Sequence, residues 1–196
     1  NFLNFHRTYY HPSNSYIYLY GNMDMEEKLA FLDEHYLSHF DYLDVDSVIQ
    51  EQKAFGACQD VTLEYPVAEN EGEEDNTYLS YNMVVGNAAD SQMAMAFEVL
   101  DYALLSAPGA PLKQALLDVK AGKDVYGSYD DGILQPYFTV IAKGSNPDRK
   151  EEFVSVIRQV LGDIVKNGID KKAVEAGINY FEFRYREADF SSYPKG

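Results

Sequence analysis

His35 and His39 stand four residues apart in the stretch DEHYLSHFD, residues 33–41. On an α-helix that spacing puts both imidazoles on one side, where they can share a metal ion. It is the histidine spacing of H-x-x-E-H, in which the glutamate takes a proton from a zinc-bound water. Ser38 stands where that glutamate belongs, and its hydroxyl ionises too far from neutral pH to be the base. A zinc site also needs a third protein ligand. The remaining histidines, His6 and His11, are not at a spacing that supplies one. The pair flanks the apolar stripe Leu29, Leu32, Tyr36 and Phe40, a usual place for a partly exposed structural histidine. We therefore read no metal ligand, no catalytic residue and no bound cofactor in this chain.

Other chemistry is equally sparse. The carboxylate clusters Glu26–Glu27, Glu73–Glu74–Asp75, Asp130–Asp131 and Glu151–Glu152 are expected by number alone among 32 acidic residues. There is no G-x-G-x-x-G, no P-loop and no G-x-S-x-G. The 17 tyrosines suit half-buried strands and are not by themselves a binding signature. The one cysteine, Cys58, excludes an internal disulfide and a multi-cysteine metal site. A net charge of −16 does not favour nucleic acid, whose affinity comes largely from Lys and Arg on phosphates. It suits basic peptides through long-range attraction, or simply solubility.

The elements that would position any site follow from periodicity. NSYIYLYGN predicts a strand over 15–20, and Asp24 with Glu27 is a helix-start pattern for an amphipathic helix over 25–40. DVTLEYPV and NTYLSYNMVVG predict strands over 60–66 and 77–85, with the acidic stretch 68–76 as a solvated loop between them. Asp90 caps the apolar helix SQMAMAFEVLDYALLS, and APGAP separates it from LKQALLDVKAG, which ends at Gly122. KDVYGSYDDGILQPYFTVIAKG reads as two strands around a turn at Asp130–Asp131–Gly132. Asn146 caps a helix with Pro147 at its first position, Gly168 stops it, and Asp170 caps the last helix. Helices and consecutive strands together predict an α+β two-layer sandwich, a largely antiparallel sheet with helices on one face.

Hydrophobic residues make up 46%, enough for a core. No apolar run approaches the ~18 residues of a membrane helix. The opening NFLNFHRTYY lacks an initiator Met, a basic region and an apolar core, so it is not a signal peptide. We expect residues 1–196 to be a single domain cut from the interior of a longer polypeptide, bacterial and cytoplasmic, with no membrane and no nucleic acid among its partners.

FHRTYYHPSNSYIYLYGNMD brings in a further expectation. It resembles the segment that opens the second homologous domain of presequence-protease-like zinc metallopeptidases, in the pitrilysin and insulin-degrading-enzyme superfamily. The matches APGAPLKQALL, LQPYFTVIAKG, GIDKKAVEAGINYFEFRYRE and SSYPKG follow in order along nearly all of the 196 residues. In that family four homologous α+β domains form two halves around a chamber. The first carries H-x-x-E-H and a distal Glu for zinc, and the fourth supplies an Arg and a Tyr. The resemblance implies a non-catalytic, chamber-forming domain of a peptide-degrading zinc metalloendopeptidase, inactive alone, with zinc held by a domain not present here. Its partners are then the other domains of the polypeptide and peptide substrates. The same superfamily includes non-catalytic subunits, so a binding or scaffold subunit without peptidase activity is the alternative.

The resemblance also places HYLSH away from the family's zinc motif. Tyr126 could occupy the place of the fourth domain's Tyr, but the residue nearest its Arg is Lys113, too far along the chain and without the planar fork of Arg. Insulin-degrading enzymes anchor a substrate's N-terminal end on a strand of their second domain. By order along the chain that strand resembles DVYGSY, which makes Val125, Tyr126, Gly127, Ser128 and Tyr129 the candidate substrate-binding residues. There Gly127 would let a second backbone approach, and Tyr126 and Tyr129 would contact side chains or cover the edge.

Overall fold

A computed structural model of the chain describes residues 1–68 and 72–187. They form two compact units, Asn1–Gln50 and Glu51–Gly196.

The first unit holds α1 (Phe2–Tyr9), α2 (Met25–His35) and two 3-10 turns, Pro12–Asn14 and Leu37–His39. Asp24 caps α2 as its sequence predicts, its Oδ1 accepting from the Glu27 N–H at 3.1 Å. Two expectations are corrected here. Residues 15–20 are not a strand, and Tyr16, Tyr18 and Tyr20 lie open to solvent. A strand needs a paired neighbour and a packed face, and none of residues 1–50 is buried. The helix predicted through residue 40 ends at His35, because Tyr36 leaves it at φ −138°, ψ −65°. The following 3-10 turn sets the Phe40 ring edge-on against Tyr36 and His11, 5.3 and 5.4 Å between centroids.

In the second unit β1 (Thr77–Val84), β2 (Asp124–Asp130) and β3 (Tyr137–Ser145) form an antiparallel sheet in the order β1-β3-β2. Its helices are α3 (Ser91–Asp101), α4 (Pro111–Asp118), α5 (Lys150–Asn167) and α6 (Lys171–Glu187). α3 and α4 pack on β2, and α5 touches β1. This is the predicted α+β arrangement. Strand alternation puts Leu79, Val125, Phe138, Val140 and Ala142 on the helix side, where they are buried. Tyr78, Ser80, Tyr126, Ser128 and Lys143 take the open face and stay exposed. Leu105, Leu112, Leu116, Phe153 and Ile157 complete the core from the helix layer. Each such side chain contributes roughly 1.5–3 kcal/mol by leaving water.

Most predicted helix boundaries hold. Asp90 Oδ1 accepts from the Met93 N–H at 3.0 Å, and Asp170 Oδ1 from the Lys172 N–H at 3.0 Å. Gly168 ends α5 at φ 86°. α4, predicted to Gly122, stops at Asp118 instead. Lys120 takes the left-handed conformation at φ 54°, its N–H reaches Leu117 O at 2.9 Å and that of Ala121 reaches Leu116 O at 2.9 Å. That is a Schellman end with lysine where glycine is usual. Gly122 serves β3 rather than the helix, since a Cβ there would lie 2.6 Å from Lys143 O.

Two further readings are corrected. Residues 60–66 do not join the ladder. Asp60 pairs with Lys150, Tyr65 bonds Asn76 O, and Val61 and Leu63 stay exposed. Pro66 lacks the N–H that a ladder needs. Asn146 precedes a 3-10 turn, Pro147–Arg149, without capping it through its side chain. That side chain is bonded to Asp75 instead. The matched SSYPKG and part of the acidic loop lie outside the described residues.

Candidate functional site

β2 carries the five residues singled out by sequence. Valine and tyrosines alternating along DVYGSYD favour a strand, and its burial alternates accordingly. β3 is its only neighbour among the described residues, so β2 is an edge. The Val125 N–H donates to Asp124 Oδ1 at 2.8 Å and therefore points away from β3. By the two-residue period, the backbone groups of Gly127 and Tyr129 share that direction. Tyr126 and Ser128 turn their backbone toward β3 and their side chains to the open face. Tyr126 and Tyr129 thus lie on opposite faces. The Tyr129 ring stacks on Phe97 at 5.4 Å and 15°. Desolvation raises its hydroxyl pKa, and the carboxylates of Asp131, Glu98 and Asp90 add to the effect.

The role expected of Gly127 is corrected. A Cβ at that position would overlap the Leu105 δ-methyl and lie 2.5 Å from Thr139 O. The missing side chain makes room for the helix layer of the same domain, not for a second backbone. Beside it α3 widens into a π turn, Tyr102–Ser106, a form that recurs at functional sites. Asp101 stands where the turn begins, with Oδ1 3.4 Å from that Cβ position. This oxygen is buried without a hydrogen-bond partner among the described residues. Ser106 Oγ donates to Oδ2 at 3.5 Å. Burial raises the Asp101 pKa, and the Ser106 bond offsets part of the rise. Sequence reading missed Asp101. Its only signal is a carboxylate inside an otherwise apolar helical run.

The histidine pair is not brought together on a helix face. His35 is the last residue of α2, its ring tilted on Phe31 at 4.6 Å, whereas His39 ends the separate 3-10 turn. Ser38 Oγ donates to Glu34 O. Among the described residues no group of three or more His, Cys, Asp or Glu is placed to hold a metal ion. These residues do not fit a zinc site. Lys113, the residue nearest an arginine's place, is paired with Asp124 at 3.5 Å. What the site offers is a strand edge unpaired among the described residues, closed at the buried Val125 and half-open at Gly127 and Tyr129, a place where an extended chain can add.

The geometry is that of an α+β domain whose three-stranded antiparallel sheet is covered by helices. The profile described as the Peptidase M16 inactive domain matches residues 1–181, and the chain belongs to that family. It is 47% identical over 195 residues to Protein HypA of Clostridium perfringens, covering 100% of this chain and 20% of that protein. It is 33% identical over 199 residues to Presequence protease 1, chloroplastic/mitochondrial, of Arabidopsis thaliana, covering 100% and 18%. Against the mitochondrial presequence protease of Xenopus laevis the identity is 26% over 192 residues, covering 95% and 18%. The chain thus spans about a fifth of the length of the curated relatives it matches. No helix among the described residues is long and apolar enough to cross a membrane.

Proposed function

We propose that residues 1–196 act as one non-catalytic domain that helps to wall the chamber of a zinc metalloendopeptidase, and that β2 holds an extended substrate peptide there. Family membership supports the first half, together with relatives named as presequence proteases. The edge of β2, unpaired among the described residues and half-exposed at Gly127 and Tyr129, carries the second. A peptide adding to it gains main-chain bonds without any catalytic group on this chain. Zinc belongs, in this reading, to another domain of the same polypeptide. The setting in this reading is bacterial, in keeping with the Clostridium relative.

Amide exchange tests the anchor without a substitution. An uncleavable peptide should slow exchange at Gly127 and Tyr129 and leave α5 unchanged. Protection confined to other elements would remove β2 from the reading. For the parent enzyme, the longer polypeptide should cleave peptides in a chelator-sensitive way. A longer polypeptide that binds peptides and cleaves none would instead make it a scaffold subunit.

A further inference from the structure

A second site lies at the other end of the sheet's open face, where β2 begins. A pocket of about 290 Å³ opens there, lined by Asp75, Tyr78, Lys123, Asp124, Lys143 and Gly144. Three lysines meet two carboxylates around it, in a chain whose net charge is −16. Both carboxylates are already engaged. Asp75 pairs with Lys123 at 3.3 Å. Asp124 lies directly across the ladder from Lys143, yet its Oδ1 is turned to the Val125 N–H and to Lys113 at 3.5 Å. Lys143 is left with an aromatic face, its Nζ 5.8 Å from the Tyr78 ring centroid, and has no carboxylate within ion-pair distance among the described residues.

The backbone is shaped to the same end. The β1–β3 register slips between Thr77 and Tyr78, whose partners are Ser145 and Lys143, so Gly144 is the extra residue of a bulge. Gly144 adopts φ 68°, and a Cβ there would press on the Lys123 side chain at 3.0 Å. Bulges re-aim side chains at sheet edges and binding sites. This one lies beside Lys143 and brings Lys123 in against Gly144.

We propose that this pocket binds a carboxylate carried by a peptide, with Lys143 as the counter-charge and the Tyr78 ring as the surface that holds the ammonium in place. The carboxylate comes from a chain terminus or from an acidic side chain, and the two sources are separable. The probes are three tetrapeptides: acetyl-tetraalanine as the free acid, the same peptide as its C-terminal amide, and that amide with one alanine replaced by glutamate. Binding is followed through the amide resonances of Gly144 and Lys143 in the whole chain.

The free acid should move both resonances and bind about fivefold more tightly than the amide, the upper end for an ion pair open to solvent. The difference should shrink as the ionic strength rises from about 0.01 to about 0.15 M. Lys143→Met should abolish it, while Lys172→Met, on α6, should leave it intact. An effect of the glutamate peptide equal to that of the free acid shows that the pocket takes a carboxylate from either source, and a weaker one assigns it to chain ends. Unmoved Gly144 and Lys143 resonances with every probe would overturn the proposal. So would equal binding of acid and amide, or a preference that survives Lys143→Met in a variant with unchanged far-UV circular dichroism.

Discussion

Asp75 and Asn146 exchange hydrogen bonds across 71 residues of sequence: the Asp75 N–H donates to Asn146 Oδ1 at 2.8 Å, and Asn146 Nδ2 donates to Asp75 Oδ1 at 2.7 Å. The pair ties the turn before β1 to the turn before α5, and Lys123 at the head of β2 joins it through Asp75 Oδ2.

This clamp should be felt in acid. The Asn146 bond, then Lys123, hold the Asp75 carboxyl below its ordinary value. A carboxyl lowered in the fold adds stability above its unfolded pKa, about 3.9, and loses it as pH falls through the lower folded value. Asp75→Asn keeps a residue that tolerates φ 56°. Urea unfolding should show it less stable than the parent at pH 7, with the gap closing below about pH 4. A gap independent of pH would mean that charge plays no part in the clamp.

Asp101 should behave in the opposite sense. Its pKa is raised by burial, so the fold disfavours its charged form, and its stability is fullest below the unfolded pKa of about 3.9 and declines as pH rises through the folded one. Asp101→Asn, neutral at every pH, should be more stable than the parent at pH 7. That gain should fade toward pH 3, below about the unfolded value. Equal stability at pH 7 would imply that a partner satisfies Oδ1 in solution.

Gly127 and Gly162 make a matched pair. A methyl at Gly127 meets Leu105 and the backbone oxygen of Thr139, so Gly127→Ala should cost about 1–3 kcal/mol by overpacking. Gly162, inside α5, has nothing within 4 Å of its Cβ position. Gly162→Ala should stabilise by about 0.5–1 kcal/mol. Denaturant midpoints decide, and a Gly127→Ala chain as stable as the parent would deny the close packing of the π turn on β2.

The dialysed chain should hold no stoichiometric zinc, and a chelator should leave its thermal midpoint unchanged. Elemental analysis beside His35→Ala/His39→Ala is the check. One zinc per chain in the parent and none in the double variant would restore the histidine pair as ligands.

Local signals in the sequence located β1, β2, β3 and the starts of α2, α3 and α6, because alternation and Asp caps act over a few neighbours. Strand propensity alone misled at Tyr16–Tyr20 and at Val61–Tyr65, where pairing and burial are long-range properties that no window of residues contains. Gly122 was legible as a glycine but not as a servant of β3. Lys120 hid the true end of α4 by taking a conformation usually left to glycine. The β2 edge was found by order along the chain. The burial of Asp101 and the lack of a carboxylate beside Lys143 among the described residues were not readable, since both depend on which partners other elements bring near.

The strand order β1-β3-β2 also sets a timetable for synthesis. Neither β1 nor β2 has a mate until the last strand, Tyr137–Ser145, is complete. With translation at about 5–20 residues per second, the stretch from Val84 to Ser145 keeps β1 waiting for several seconds. During that interval the emerging chain displays Leu79, Leu105, Leu112 and Leu116 with no sheet to cover them. Sheet closure therefore waits until β3 leaves the exit tunnel, and a ribosome stalled before Tyr137 should carry a protease-sensitive product.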